Sequence, residues 1–310
     1  MKAISGLPAG LTLFERGWLS SNNILFSAGS STAIVDTGYL SHSPQTLALV
    51  KRKLADRPLD LIVNTHLHSD HCGGNAALQE AYSQVSTVIP PGLAEAVRIW
   101  DEEALTFAPT GQHCARFRFD GVIRPGENLE LGGLQWQVHA APGHDPHSVM
   151  LFEPASRTLI SADALWENGF GVVFPELEGG RAFDEVAATL NLIEFLRPMI
   201  VIPGHGGAFS GQKAVAESLA RARSRLAWFA KDPARHAAHG VKVLIKFRLL
   251  EWQSVELEEF WAWSAKTQYI GLVHRLFFSC MPMREWLEEL VAQLISSGAA
   301  AQDGKILYNV

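Results

Sequence analysis

The stretch Asn64-Thr65-His66-Leu67-His68-Ser69-Asp70-His71-Cys72-Gly73-Gly74-Asn75 places three imidazoles and a carboxylate within six residues. Only 12 His occur among 310 residues, so a surface loop rich in His by composition is a poor account of three in one hexapeptide beside an Asp. Imidazole nitrogen and carboxylate oxygen together suit a borderline divalent cation such as zinc. Three further candidates share one setting, an apolar run that ends in a turn: His144 after Val138, Asp163 after Thr158-Leu159-Ile160-Ser161-Ala162, and His205 after Met199-Ile200-Val201-Ile202-Pro203-Gly204. Repeated strand-end placement would gather these distant residues at one edge of a sheet, where such sites form.

The motif HxHxDH followed by a later His, Asp and His resembles that of the metallo-β-lactamase superfamily of hydrolases, and the match runs from about Leu11 to Phe209. The resemblance implies that His66, His68 and His144 hold one metal, that Asp70, His71 and His205 hold a second, and that Asp163 bridges the two. It also implies a four-layered αββα sandwich and two divalent ions, zinc first, with iron or manganese as alternatives. Such ions lower the pKa of a shared water toward neutrality and polarise the oxygen of a bound ester, thioester or phosphate. Asp70 is then the catalytic carboxylate as well as a ligand, and no Ser or Cys nucleophile is needed.

Departures from particular branches narrow the chemistry. Those β-lactamases with Cys at the position of Asp163 are poor guides, and flavodiiron proteins carry Glu where this chain keeps His68. The expected reaction is cleavage of a small thioester, ester or lactone, as in the glyoxalase II-like and lactonase-like branches. Phosphodiester or RNA cleavage by the same site is the runner-up, and a noncatalytic binding protein is the third reading. Trp166, Asn168 and Phe170, just after Asp163, offer aromatic walls and an amide for a mostly apolar acyl group, against the alternative that they are core. Arg98, Trp100 and Phe107 are candidates for a lid.

The elements that must position these groups follow from pattern. The β-branched run Leu59–Val63 predicts a buried strand ending at the motif, with Gly73 and Gly74 turning the backbone and Asn75 capping a helix. Strands are expected near Leu11–Glu15, Asn23–Phe26, Thr32–Asp36, Glu127–Leu131, Leu134–His139, Ser148–Phe152, Thr158–Ser161 and Met199–Ile202, and helices over Pro44–Ala55 and Phe183–Leu196. Asp36 ends a strand and is expected to hold the ligand loop by hydrogen bonds. His147 could donate a hydrogen bond to a ligand or substrate, and His42 could approach across the loop after Asp36.

A catalytic domain is expected over 1–212 and a mainly helical one over 213–310. Helices are read at Ala214–Ala230, Val241–Leu250, Ser254–Ala265 and Pro282–Ser297, with a hairpin at Asp303-Gly304. Helices before a hairpin resemble the winged-helix appendage of some superfamily members; the alternative is a helical cap on the main domain or a homodimer contact. Residues 1–220 carry 14 basic and 23 acidic side chains and residues 221–310 carry 12 and 9, so no broad basic tract marks a nucleic-acid surface. Trp252, Trp261, Trp263 and Trp286 instead suit buried helix faces.

With 47% hydrophobic and 19% charged residues the chain can bury a full core and shows no signature of disorder. Cys72, Cys114 and Cys280 are odd in number and far apart in sequence, so no disulfide framework is implied and a reducing compartment is the simplest reading. Cys72 is read as a packing residue. The opening Met1–Pro8 breaks at Gly and Pro before an apolar segment develops, so the expectation is a cytoplasmic enzyme without a signal peptide or membrane span, acting on a small acyl substrate.

Overall fold

Short apolar runs bounded by Gly and Pro become two six-stranded sheets in the computed structural model, which describes residues 6–310; the reading of the first five residues lies outside that range. The first sheet takes β1 (Leu11–Phe14), β2 (Asn23–Phe26), β3 (Ala33–Val35), β4 (Leu61–Val63), β5 (Ser86–Ile89) and β6 (Gly121–Val122) in sequence order. Its first two pairings are antiparallel and the remaining three parallel. The second sheet runs from β7 (Asn128–Leu131) through β8 (Leu134–Ala140), β9 (Val149–Glu153), β10 (Thr158–Ala162) and β11 (Ile200–Pro203) to β12 (Phe209–Ser210), with only β10 and β11 parallel.

Alternation along each strand sends one set of side chains between the sheets and the other outward. Ile24, Val35 and Val63 of the first sheet meet Trp136, Leu151 and Ile160 of the second in one buried cluster. On the outer face of the first sheet, Leu25, Ile34 and Ile62 pack against α1 (Ser43–Leu54) and α3 (Asn75–Ala81), which follows the single-turn α2 (Ser69–Cys72). The second sheet buries Met150, Leu159 and Val201 outward. These give the expected αββα sandwich.

An insert between β5 and β6 carries α4 (Ala94–Ile99) and α5 (Phe107–Thr110), closed by a core of its own that includes Cys72, Val97, Phe107 and Cys114. After β10 come α6 (Phe174–Leu177) and α7 (Phe183–Leu196), then α8 (Gln212–Lys231) after β12. The expected division at 212/213 falls at the start of α8, yet α8 buries Val215, Leu219, Ala222 and Leu226 with Leu190 and Ile193 of α7 against the second sheet. The core changes instead at Asp232. There Pro233, lacking an N–H, ends α8 and opens α9 (Pro233–Trp252), whose first turn Asp232 caps by accepting from Arg235 N.

The remainder, α10 (Leu257–Lys266), α11 (Gln268–Phe277) and α12 (Met283–Ser296), packs with α9 around Phe260, Ile270, Trp286 and Leu290. The Asp303-Gly304 hairpin is present between β14 (Ala300–Asp303) and β15 (Ile306–Asn309), and Ser254–Glu256, expected to begin a helix, is β13, paired to β15 with Val255 buried. The winged-helix likeness is not established by this packing of four helices around a three-stranded sheet. No helix among the described residues is long and apolar enough to cross a membrane.

Candidate metal centre

Strand β4 ends at Val63 and the chain drops into a loop held almost wholly by buried polar groups. Asn75 donates to Asn64 Oδ1 at 2.7 Å and accepts from Thr37 Oγ1 at 2.8 Å, while Asn64 Nδ2 reaches the carbonyl of His71 at 3.2 Å. Asn75 is therefore not the expected cap: it sits inside α3, and its amide ties the loop to its neighbours. Gly73 and Gly74 have ordinary helical φ, so turning is not their task. A Cβ on Gly73 would stand 2.5 Å from Leu40 N, and one on Gly74 2.4 Å from the Thr37 carbonyl. Close approach of the 37–40 segment is what requires them.

Thus braced, α2 projects Asp70 and His71 from one turn while His68 stands at its start and His66 two residues earlier. Asp163 is aimed by a break in its strand: the pairing of β10 with β11 shifts register between Ile160 and Ala162, and Ala162 is left at φ 45°. All seven expected side chains converge. Ligand atoms of His66, His68 and His144 lie within 4.8 Å of one another, as do those of Asp70, His71 and His205, and those of His66, His71 and Asp163. Asp163 Oδ2 is 3.3 Å from His144 Nε2 and Oδ1 is 3.5 Å from His71 Nε2, so this carboxylate touches both groups.

The protons of these imidazoles test whether a cation fits. His144 Nδ1 meets the Val172 carbonyl at 2.6 Å and His66 Nδ1 meets Thr65 Oγ1 at 3.2 Å, which leaves both Nε2 atoms as lone pairs. His68 Nδ1 stands between them, at 2.8 Å and 3.1 Å. One proton on His68 can satisfy only one of the two. His71 gives its Nδ1 proton to Asp36 Oδ2 at 2.7 Å, and its fully buried Nε2 has no hydrogen-bond partner. Convergent nitrogen lone pairs beside carboxylates are a donor set for divalent metal, and Asp36 is the carboxylate that orients a ligating imidazole from behind.

Electrostatics agree. Burial opposes charge on His71, yet Asp163, Asp36 and Asp70 raise its pKa well above the ordinary histidine value. Burial and then the neighbouring imidazoles hold His66 well below that value, and burial with His144 brings His68 down to about 4. Burial would raise Asp163, but His71, His205 and His144 overcome it and hold the carboxyl well below its usual range. Asp70 and Asp163 are thus held ionised and His66 and His68 neutral, as ligation needs, while His71 is drawn toward its protonated form by three carboxylates whose charge a bound cation would offset.

The other sequence candidates divide. Asp36 accepts from Thr65 N at 2.9 Å and Thr65 Oγ1 at 2.7 Å besides His71, as expected of a loop-holding carboxylate. Trp166 walls the cleft and donates to Asp163 Oδ1 at 3.2 Å; Phe170 lines it too, while also packing in the outer core. Asn168 is exposed and borders an outer chamber rather than the cleft. His147 is exposed with its ring against Gly92, and it makes no side-chain hydrogen bond to the cluster. His42 meets Ser20 Oγ at 2.8 Å, outside the cluster.

The lid expectation is corrected. Phe107 is core, Trp100 packs on Phe107 and Phe117, and Arg98 pairs with Glu95 on the surface. The insert reaches the cleft through Thr106, Thr110 and Gln112 instead. Cys72 is buried and donates to the Leu67 and His68 carbonyls, a packing residue as expected.

Several functional positions escaped the sequence. Trp18 stacks on His205 at 5.5 Å and 5° between planes, and Phe174 packs on His68 at 4.7 Å. Buried Asp145, 3.9 Å from His68 Nε2, directly follows His144 and could have been suspected on that ground. From α9, His239, Val243 and Phe247 roof the cleft. Their spacing of four puts them on one helix face, but nothing in sequence says what it meets. His236 of the same helix accepts from Val173 N at 3.1 Å, bracing the segment whose Val172 carbonyl orients His144.

Comparison with known proteins agrees with this geometry. The chain is 28% identical over 223 residues to acyl-coenzyme A thioesterase MBLAC2 of Homo sapiens, covering 64% of this chain and 78% of that protein. It is 27% identical over 188 residues to a hydroxyacylglutathione hydrolase of Brucella anthropi, covering 57% and 60%. A linear primary-alkylsulfatase of Pseudomonas sp. is 25% identical over 253 residues, covering 70% of this chain but 47% of the sulfatase, so the chain spans about half of that relative. Among solved structures, a beta-lactamase domain protein from Burkholderia ambifaria shares the fold at TM-score 0.60 and 20% identity, covering 98% of this chain and 93% of that one. Residues 16–205, which include every residue of the cluster, match the profile of the metallo-beta-lactamase superfamily, and the chain belongs to that superfamily.

Proposed function

We propose that this protein is a metal-dependent hydrolase that cleaves a small acyl thioester, with esters and lactones as neighbouring substrates. One observation carries the proposal: seven His and Asp side chains converge, with Asp163 against both groups of three, and five of them, His68, Asp70, His144, Asp163 and His205, line a cleft walled by Trp166, Phe170, Val172 and Phe174. On this reading His66, His68 and His144 hold one divalent ion, Asp70, His71 and His205 the other, and Asp163 both. The donor set suits zinc and is compatible with iron or manganese. When bound, such ions would supply Lewis-acid polarisation of the acyl oxygen and a lowered pKa, hence greater acidity, of water.

The chain's own groups do the rest. Asp70, its side chain 14% exposed, is the carboxylate of the cluster most open to the cleft; it orients the attacking water and takes its proton. Asp163, fixed by Trp166 and the imidazoles, stays ionised. The aromatic walls exclude bulk water and receive an apolar acyl group. The names of the thioesterase and hydroxyacylglutathione relatives support thioesters as the first class to try.

The alkylsulfatase relative favours sulfate esters as a second reading. RNA fits less well, because the cleft at the cluster holds only about 100 Å³ under α9 and no Lys or Arg lines it. The test is a panel of acyl thioesters, lactones, alkyl sulfates and RNA offered to metal-loaded protein before and after chelation. Chelator-sensitive thioester turnover supports the proposal; turnover confined to sulfates or RNA replaces it, and inertness toward all four, with a partner held by the helical region, favours a binding protein.

A further inference from the structure

Beyond the cleft lies a second chamber of about 570 Å³, bounded by the sandwich on one side and by α9 and α12 on the other. It shares Trp18, Trp166, His205, His239, Val243 and Phe247 with the cleft, so the two adjoin across these side chains. Its size is that of a small-molecule site, and Leu250 and Leu294 extend the apolar wall away from the cluster.

Two cations stand in this wall without an ion pair, and the wall's one acid, the exposed Glu167, is bridged to neither. Arg225 of α8 donates Nη1 to the Asn168 carbonyl at 3.2 Å, and Lys242 of α9 donates Nζ to Gln293 Oε1 at 2.9 Å. Neither makes an ion pair among the described residues, whereas Arg223, Arg248 and Arg284 pair with Glu194, Glu251 and Glu288. Lys246 is already committed, to the carbonyls of Ala299 and Val310 and to Asn309 Oδ1. Burial lowers the pKa of Arg225 and of Lys242, the sign of charge taken partly out of water. A partly exposed cation with only neutral partners has donors left to take up an anion.

We infer that the chamber holds the part of the substrate remote from the scissile bond, an apolar body bearing an anionic oxygen group, phosphate or carboxylate, which Arg225 and Lys242 receive. This rests on the hydrolase reading only for the word substrate; the chamber's preference for an anionic amphiphile stands on its own residues.

The test has two arms. In the first, metal-loaded full-length protein is given one acyl group on three thiols: N-acetylcysteamine, neutral; 3-mercaptopropionate, a carboxylate; and phosphopantetheine, a phosphate. The anionic thioesters are expected to show KM lower by about tenfold, and Lys242→Gln or Arg225→Gln to bring the anionic-to-neutral ratio toward one. Which anion gains more identifies the source. In the second arm, intrinsic tryptophan fluorescence of metal-free protein reports binding of dodecanoate, dodecyl phosphate and dodecanol below their micellar concentrations. The two anions are expected to bind more tightly than the alcohol, and the advantage to vanish on either substitution. Lys242-dependent anion binding without turnover of any thioester removes the thioesterase reading and keeps the chamber assignment. Equal binding of anion and alcohol, or a preference that survives both substitutions, overturns the assignment whatever the activity.

Discussion

The corner between β4 and α3 and the helical region from α9 onward meet across one cleft, yet they are built on opposite logic. The corner is a lattice of buried polar contacts: Thr37, Asn64, Asn75 and Asp36 spend their hydrogen bonds on one another and on the ligand loop. The helical region has a largely apolar core, including Phe260, Ile270, Trp286 and Leu290, and it offers the cleft chiefly hydrophobic surface through Val243, Leu244 and Phe247. Directional contacts hold imidazoles to the tolerance that ligation demands, while nondirectional packing gives a roof that can select shape and charge. Chemistry should therefore belong to the corner and selection to the roof.

The largest expected effect tests the corner. Asp70→Asn should lower kcat/KM on any substrate of the panel by about 10²–10⁴-fold while circular dichroism stays native. A loss under tenfold would mean that the carboxylate does not handle the proton and that the comparison fails on its chemical side.

Next comes a pH effect seated in the roof. Burial, aided by Arg225, brings the pKa of His236 down to about 4. An unfolded chain, with His near about 6.5, then binds more protons than the folded one between these values, so stability rises with pH across that window and is lost as pH falls from about 6.5 toward about 4. The contribution is of order 3 kcal/mol, from about 1.4 kcal/mol per pKa unit. Thermal melts across that range should show a shallower acid loss for His236→Gln than for the unaltered protein; parallel curves would remove His236 as a brace of the Val172–Val173 segment.

A smaller effect returns to the corner. Asp36→Asn takes the charged acceptor from His71 Nδ1 and should weaken metal retention about 10- to 100-fold in competition with a chromogenic chelator. Unaltered retention would show that the loop holds His71 without it. Smallest of all, Val243→Ala in the roof should raise KM about fivefold, the low end of the about 1–3 kcal/mol for a trimmed apolar contact, and leave metal content untouched. A fall in kcat larger than the rise in KM would show that the roof takes part in the chemistry.

Legibility followed the same division. His66, His68, Asp70 and His71 lie within one turn and a loop, so their spacing alone announced a metal site, and His144, Asp163 and His205 carried the signature of strand ends. Strand alternation and turn residues placed most of the sandwich to within a residue or two, with Phe183–Leu196 matched at both ends. The short β5 and β6 were missed because their apolar runs are brief and partly exposed. In the helical region Ser254–Glu256 read as helix, since three residues cannot display a period and only pairing with β15 makes them a strand.

Amino-acid order by itself determined the chemistry available to this protein: which donors exist, how densely they cluster, and that strands must deliver them to one edge. Tertiary structure alone decided who stands behind and above them. Asp36 beneath His71, Trp18 on His205, His236 bracing Val173, and Arg225 facing the same chamber as Lys242 all join residues of different elements. Local pattern reports which face of an element is apolar or polar, and it is silent on what that face meets; that depends on how whole layers pack, a property no short window of sequence contains.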